Sequence, residues 1–182
     1  MSRKLRKDPR YQLLTIVVLL VLWGLGKWLE PYLPRQDQQA SNPAGPGAVE
    51  PGVYEILRVV DGDTMLLKRN HLRVRLQGVD TPETVKEDTP VQAWGPEATA
   101  FTKRFVADAG GRLKLTVDGE AVDQYGRHLV FAWHDGKLLN EELVAAGLAR
   151  AKLAYDYGQS LKNRLRRAQE KAQAERLGIW SR

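Results

Sequence analysis

The chain has 182 residues, 43% of them apolar, with 28 Lys plus Arg against 22 Asp plus Glu for a net charge of +6. That length carries one globular domain with additions. Zero Cys excludes a disulfide scaffold, a cysteine-ligated zinc site and a thiol nucleophile, and three scattered histidines (His71, His128, His134) speak against a histidine metal cluster.

The charge is uneven along the chain. Seven bases (Arg3, Lys4, Arg6, Lys7, Arg10, Lys27, Arg35) and two acids (Asp8, Glu30) fall in the first 35 residues, leaving 21 bases and 20 acids beyond them. Residues 1–10 read as a basic cytoplasmic N-terminus and 11–29 as a transmembrane anchor. Its uncharged centre is LLTIVVLLVLWGLG, and at about 1.5 Å rise per residue the segment nearly spans a hydrocarbon core of about 30 Å. Tyr11, Trp23, Trp28 and Tyr32 suit an interfacial belt, and the basic end predicts an N-in, C-out orientation. The following KWLEPYLPRQ is bulky where a cleavage site needs small residues, so a single-pass cell-membrane protein with an extracytoplasmic domain is favoured over one secreted after signal cleavage. Residues 30–52, rich in Pro, Gly, Ala and Gln, read as a flexible linker. The folded domain is expected over 53–182.

Within it, YEILRVV (54–60), TMLLKR (64–69) and LRVRLQG (72–78) predict three strands separated by the turn signals DGD and RNH. Alternation in the third puts Arg73 and Arg75 on the face opposite Leu72, Val74 and Leu76. Gly95-Pro96 opens a helix with an Ala98, Phe101, Phe105, Val106 stripe, closed by Gly110-Gly111. Strands follow near 112–118 and 128–133, then a turn at His134-Asp135-Gly136-Lys137. A short helix is expected to be capped by Asn140 and closed by Gly147, and a last one to start near Ser160 with Leu161, Leu165, Ala168 and Ala172 on one side. The reading is α+β, mainly β: a five-stranded OB-fold barrel with about three packed helices, preceded by one transmembrane helix.

The chemistry is concentrated at one end of the second hairpin. Antiparallel pairing with residue numbers summing to about 140 puts Asp63 opposite the Gln77 region and Asp80 just beyond. Arg75 lies two residues back and Glu83 follows in VDTPET, where Pro82 breaks regular structure. Three acids this close repel one another unless a cation lies between them, and oxygen donors alone suit calcium or magnesium. An EF-hand is excluded, because Met65 stands where its third ligand belongs.

The motifs VVDGDTMLL, VRLQGVDTPET, WGPEATAFTKRFV, DQYGRHLVFAW, DGKLLNEELVAAGLAR, AKLAYDY and LGIWS resemble, in order and over nearly all of 53–182, the staphylococcal-type thermonucleases, or micrococcal nucleases. The resemblance implies an OB-fold and a calcium-dependent, sugar-nonspecific endonuclease that hydrolyses phosphodiester bonds of single- or double-stranded DNA and of RNA, leaving 3'-phosphorylated products. By the same resemblance Asp63, Asp80 and the Thr81 carbonyl would hold Ca2+. Glu83 would act on the attacking water, as general base or as orienter, and Arg75 and Arg127 would bind the phosphodiester. Tyr125, Tyr155 and Tyr157 match tyrosines lining the nucleotide pocket. The nuclease domain is expected to be monomeric, with membrane contact through 11–29. The alternative is a catalytically silent OB-fold module binding nucleic acid or protein, which would not require all five of Asp63, Arg75, Asp80, Glu83 and Arg127. Two departures stand out: Gln124 where the family commonly has Lys, and a loop in which Glu87 and Asp88 outweigh Lys86 where relatives are basic.

Of the remaining residues, Arg73 reads as solvated, His128 as structural, and Trp94, Trp133 and Trp180 as packing residues. Tyr155 and Tyr157 read as same-face neighbours, suited to rim packing or base stacking. Lys162, Arg164, Arg166 and Arg167 form either a solvated helix face or a phosphate track.

Overall fold

The computed structural model describes residues 49–84 and 90–181. The expected cytoplasmic segment 1–10, the anchor 11–29, nearly all of the linker 30–52, and Lys86, Glu87 and Asp88 lie outside the described residues. Among those described, no helix is long and apolar enough to cross a membrane.

The described residues form eight strands: β1 Gly52–Val59, β2 Thr64–Leu67, β3 Arg73–Leu76, β4 Val79–Asp80, β5 Arg112–Thr116, β6 His128–His134, β7 Lys137–Leu138 and β8 Arg150–Ala151. β1, β2 and β3 form an antiparallel meander, β1 also pairs with β5, and β5 with β6. The parallel pairing of β3 with β6 closes these five into a barrel, the arrangement expected of an OB-fold. β7 extends β6 through the predicted turn, where Asp135 and Gly136 both have positive φ (46° and 75°), as a two-residue hairpin with Asp-Gly demands. Leu67, Val74, Leu76, Leu113, Leu115, Val130 and Phe131 fill the barrel and are fully or almost fully buried.

Three helices pack on it: α1 Gly95–Asp108, α2 Leu139–Ala145 and α3 Gln159–Ala174. Pro96 starts α1 at a position where a missing N–H costs nothing. The deepest residues of α1 are Ala98, Thr102 and Val106, with Phe101 and Phe105 only partly buried. The expected stripe is therefore rotated, and a hydroxyl lies at its centre. Asn140 is not a cap, because α2 begins one residue earlier. It is fully buried, accepting from the Ala132 N–H at 3.1 Å and donating to the Gln77 carbonyl at 2.8 Å, which ties helix to barrel.

Three short strands, β4, β7 and β8, escaped the sequence reading. β4 and β8 form a separate two-stranded ribbon, Val79 opposite Ala151 and Asp80 opposite Arg150. Two residues give no periodicity to read.

Candidate active site

The β1–β2 turn places the first acid. Val60 and Asp61 both donate their N–H groups to the Thr64 carbonyl, at 2.9 and 3.3 Å, and Asp63 points inward with only 2% of its surface exposed. α1 sets the turn from outside: the Thr102 hydroxyl donates to the Gly62 carbonyl at 2.6 Å, and a Cβ on Gly62 would meet Ala98 and Thr81 at 2.8 Å.

The hairpin places the arginine. Thr64 pairs with Arg75, so Asp63 lies opposite Leu76, whose N–H donates to the Asp63 carbonyl at 2.8 Å. That is one step from the expected Gln77, because the connection is a 3-10 turn with two left-handed residues, Asn70 and His71. Arg75 Nη1 donates to Asp63 Oδ1 at 2.5 Å and its Nη2 to Asp80 Oδ1 at 2.9 Å. One planar guanidinium therefore bridges both carboxylates, as its fork allows and a Lys could not. Arg73, on the same strand face, is exposed as expected.

Asp63 has further partners: the Thr64 hydroxyl at 3.0 Å and the Thr81 N–H, which donates to Oδ2 at 3.1 Å. Burial pushes its carboxyl up, Arg75 pulls against this, Asp61 adds to it, and the Thr81 N–H and Thr64 hydroxyl pull back, leaving it at about 6. Asp80 Oδ2 is 3.3 Å from Lys152 Nζ.

Glu83 is held on a different support. Its N–H donates to Gln92 Oε1 at 3.1 Å, its carbonyl accepts from the Gln92 N–H at 2.9 Å, and its Oε1 accepts from the Thr84 N–H at 3.1 Å. Among the described residues no three His, Asp or Glu side chains gather closely enough to hold a metal. The expected cluster of three acids thus resolves into the pair Asp63 and Asp80. The pair still suits a hard cation: all its donors are oxygen, and a buried carboxylate with a raised pKa is one that added positive charge would stabilise. A site of this kind would be held by Asp63 and Asp80, completed by a Thr81 carbonyl and water.

Arg127 is fixed by Asp123. The Asp123 carboxylate accepts from the N–H groups of Tyr125 and Arg127, both at 2.9 Å, and from Arg127 Nε at 2.7 Å. Burial opposes the charge on Asp123, but the two N–H groups and the guanidinium outweigh it and hold the carboxyl below its usual range. Gly126, at φ 74°, makes the turn possible, and the Arg127 guanidinium lies 5.3 Å from the Tyr125 ring centroid.

Arg75, Arg127, Tyr125 and Tyr155 line one cleft of about 290 Å3, together with Gln124, Lys152, Glu120 and Asp123. Tyr125 is 74% exposed and Tyr155 is 52% exposed. Tyr157 is not among the lining residues, and it does not share a face with Tyr155. It is 5% exposed, packs on Phe131 with ring centroids 5.5 Å apart, and donates its hydroxyl to the Lys152 carbonyl at 3.0 Å. The reason is local: residues 152–157 form a bend rather than a strand, so alternation does not apply. Tyr157 supports the site from beneath. A Cβ on Gly78, a cleft residue with φ 75°, would come within 2.9 Å of its ring and hydroxyl.

The remaining expectations divide. His128 is buried. Trp133 donates its indole N–H to the Thr116 hydroxyl at 3.0 Å, Trp94 packs on the core, and Trp180 carries the Arg150 guanidinium 4.6 Å from its ring centroid. The basic face of α3 is not uniform: Arg164 pairs with Glu141 and lies over Trp133, whereas Arg166 and Arg167 are exposed. Sequence reasoning passed over Thr102, Asp123, Gln92 and Lys152. Only Asp123 had a readable signal, an Asp two residues before a Tyr-Gly turn and four before an Arg.

The protein family described as staphylococcal nuclease homologue matches residues 73–182. Thermonucleases of Staphylococcus hyicus and Staphylococcus intermedius are 42% and 43% identical over 130 and 131 residues, covering 70% and 71% of this chain and 75% and 76% of their own. Endonuclease YncB of Bacillus subtilis is 37% identical over 127 residues, 68% of this chain and 59% of its own length. The family match covers more than half of the chain, including Arg75, Asp80, Glu83, Arg127 and all three helices, and with these relatives it shows that the chain belongs to the staphylococcal nuclease family.

Proposed function

We propose that this chain is a calcium-dependent, sugar-nonspecific endonuclease that hydrolyses phosphodiester bonds of DNA and RNA and leaves 3'-phosphorylated products. The observation that carries this reading is the convergence of Arg75 and Arg127 on one cleft, with Arg75 also bridging the Asp63 and Asp80 carboxylates. The relatives named above are thermonucleases and endonucleases, which supports phosphodiester hydrolysis as the reaction.

Asp63, Asp80 and the Thr81 carbonyl would hold calcium, which when bound polarises water and phosphate. Arg75 and Arg127 bind the equatorial oxygens and meet the charge that gathers there in the transition state. Glu83 would position the attacking water, its backbone steadied by Gln92. Tyr125 and Tyr155 offer rings at the rim for the adjoining base. Contacts to the phosphodiester backbone carry no sequence information, so little sequence preference is expected.

The domain is proposed to act as a monomer outside the cytoplasm, on a single-pass anchor at residues 11–29, a reading supported by the basic N-terminus and the apolar run. Protease added to intact cells should release the domain, and protection overturns the placement. For activity, the full chain is incubated with single-stranded DNA in calcium, in magnesium and in chelator. Cleavage is expected in calcium and not in chelator. Cleavage independent of calcium, or undiminished by Glu83→Gln, overturns the mechanism.

A further inference from the structure

Three cations line the cleft, and two of them are committed to carboxylates through several bonds each. Arg75 bridges Asp63 and Asp80, and Arg127 is chelated by Asp123 and lies over Tyr125. The third, Lys152, has no role in the chemistry described above.

Its main chain is fixed. β8 pairs Ala151 with Val79, and the Lys152 N–H donates to the Gly78 carbonyl at 2.8 Å, so the residue leaves the ribbon at the cleft wall. Its side chain is loose by comparison, 42% exposed, with Nζ 3.3 Å from an Asp80 Oδ2 that is itself 41% exposed. That separation exceeds the usual span of a charge-assisted hydrogen bond, and a pair this exposed adds little to stability. Lys152 is therefore the cleft cation that is redirected at least cost. A flexible ammonium with three donors can follow a phosphate whose orientation is not fixed, which the forked guanidiniums cannot. Tyr155, three residues on and half exposed, puts a ring on the same stretch of wall, and a base stacked there leaves its backbone phosphate to the neighbouring cation. Gln124, the other long side chain of the wall near Tyr125, is uncharged and cannot take that place.

We propose that Lys152 is a substrate-binding residue that contacts the nucleic-acid phosphate next to the one held by Arg75 and Arg127. The proposal rests on the nuclease reading above and adds a second phosphate subsite to it.

The test is the salt dependence of binding. The full chain carrying Glu83→Gln, which keeps the oligonucleotide intact, is titrated with a fluorescent single-stranded DNA oligonucleotide at fixed calcium and several potassium chloride concentrations. Adding Lys152→Met should weaken binding roughly tenfold at low salt and make the slope of log K against log salt shallower by about 0.7, the loss of one phosphate contact on a single strand. Lys152→Arg should keep the slope. In the otherwise unaltered chain, Lys152→Met should raise KM more than it lowers kcat. Thermal melts establish that each variant is folded, and Lys152→Gln replaces the methionine variant if that one is not. An unchanged slope and affinity in the methionine or glutamine variant, in a chain that cleaves DNA in calcium, overturns the assignment of Lys152 alone. A chain that neither binds nor cleaves overturns it together with the nuclease reading.

Discussion

Arg75 serves two neighbours at once, and this decides what its removal does. It is the nearest cation to a carboxylate that is 2% exposed, and it faces the cleft in which the phosphodiester is proposed to bind. Arg75→Ala should lower kcat on the order of 100-fold or more, the usual cost of one lost transition-state donor. It should also destabilise the chain more at pH 8 than at pH 5, because a proton can replace the missing guanidinium only while the Asp63 carboxyl still holds one. Chemical denaturation at the two pH values checks the stability half, and equal losses would count against the buried pair. Asp123 acts through Arg127. Asp123→Ala should lower activity nearly as far as Arg127→Ala does, and the double variant should be little worse than either. Additive losses in that cycle would mean that Asp123 has a role separate from Arg127. Tyr157 carries the pH prediction for the supporting layer. Burial raises its hydroxyl from 10.0 to about 12, with Arg166 pulling weakly the other way. The unfolded chain ionises first, so the contribution of neutral Tyr157 is complete below pH 10 and lost as the pH rises toward 12. Tyr157→Phe should cost about 1 kcal/mol at neutral pH through the bond to Lys152 and flatten that alkaline loss, as read by denaturant midpoints at pH 9 and 11.

At the scale of elements, α1 controls the acidic turn. Thr102 is fully buried at its centre, and its hydroxyl donates to the Gly62 carbonyl. Thr102→Val keeps the shape and strands that carbonyl, so it should cost about 1–3 kcal/mol and also lower calcium affinity, since Asp63 follows directly. Loss of stability with calcium titration unchanged would show that the turn holds its own geometry. The same helix shows what was legible in the chain. Gly95-Pro96 and Gly110-Gly111 mark its ends because a first-turn proline and positive-φ glycines are local requirements. Its buried face was not legible, since a Thr whose hydroxyl reaches 40 residues back in sequence looks like any polar residue. The five barrel strands could be read from alternation and turn residues. The β4–β8 ribbon could not, although it carries Asp80 and delivers Lys152. Tyr157 was misplaced for a related reason, because a two-residue spacing implies a shared face only where the backbone is extended. The acids and Arg75 were readable because one hairpin brings them together. The contacts of Asp123, Gln92 and Lys152 depend on loops meeting loops.

For the whole molecule, the net charge is a poor guide to where nucleic acid is proposed to bind. Beyond residue 35 the bases and acids nearly balance, and the candidate site sets cations against acids at close range, where the proposed calcium would add further positive charge. Without it, Asp63 is a buried carboxylate whose proton affinity is raised in the fold, so at neutral pH the folded chain carries a charge that Arg75 only partly compensates. The sign follows from linkage. A raised carboxyl pKa makes the folded state the better proton binder between the unfolded value of 3.8 and about 6, so this group's contribution falls as pH rises through that window. Calcium bound by Asp63 and Asp80 should restore what deprotonation removes. At pH 8 the melting temperature should rise with calcium, with a gain of about 2.7 kcal/mol when the free ion is 100-fold above Kd. At pH 4 the same calcium should have little effect. Asp63→Asn should melt higher than the parent chain in chelator at pH 8 and show a much weaker calcium response. Scanning calorimetry of the full chain at the two pH values decides between this and a purely structural acid pair, for which Asp63→Asn would lower the melting temperature in chelator and calcium would move neither protein.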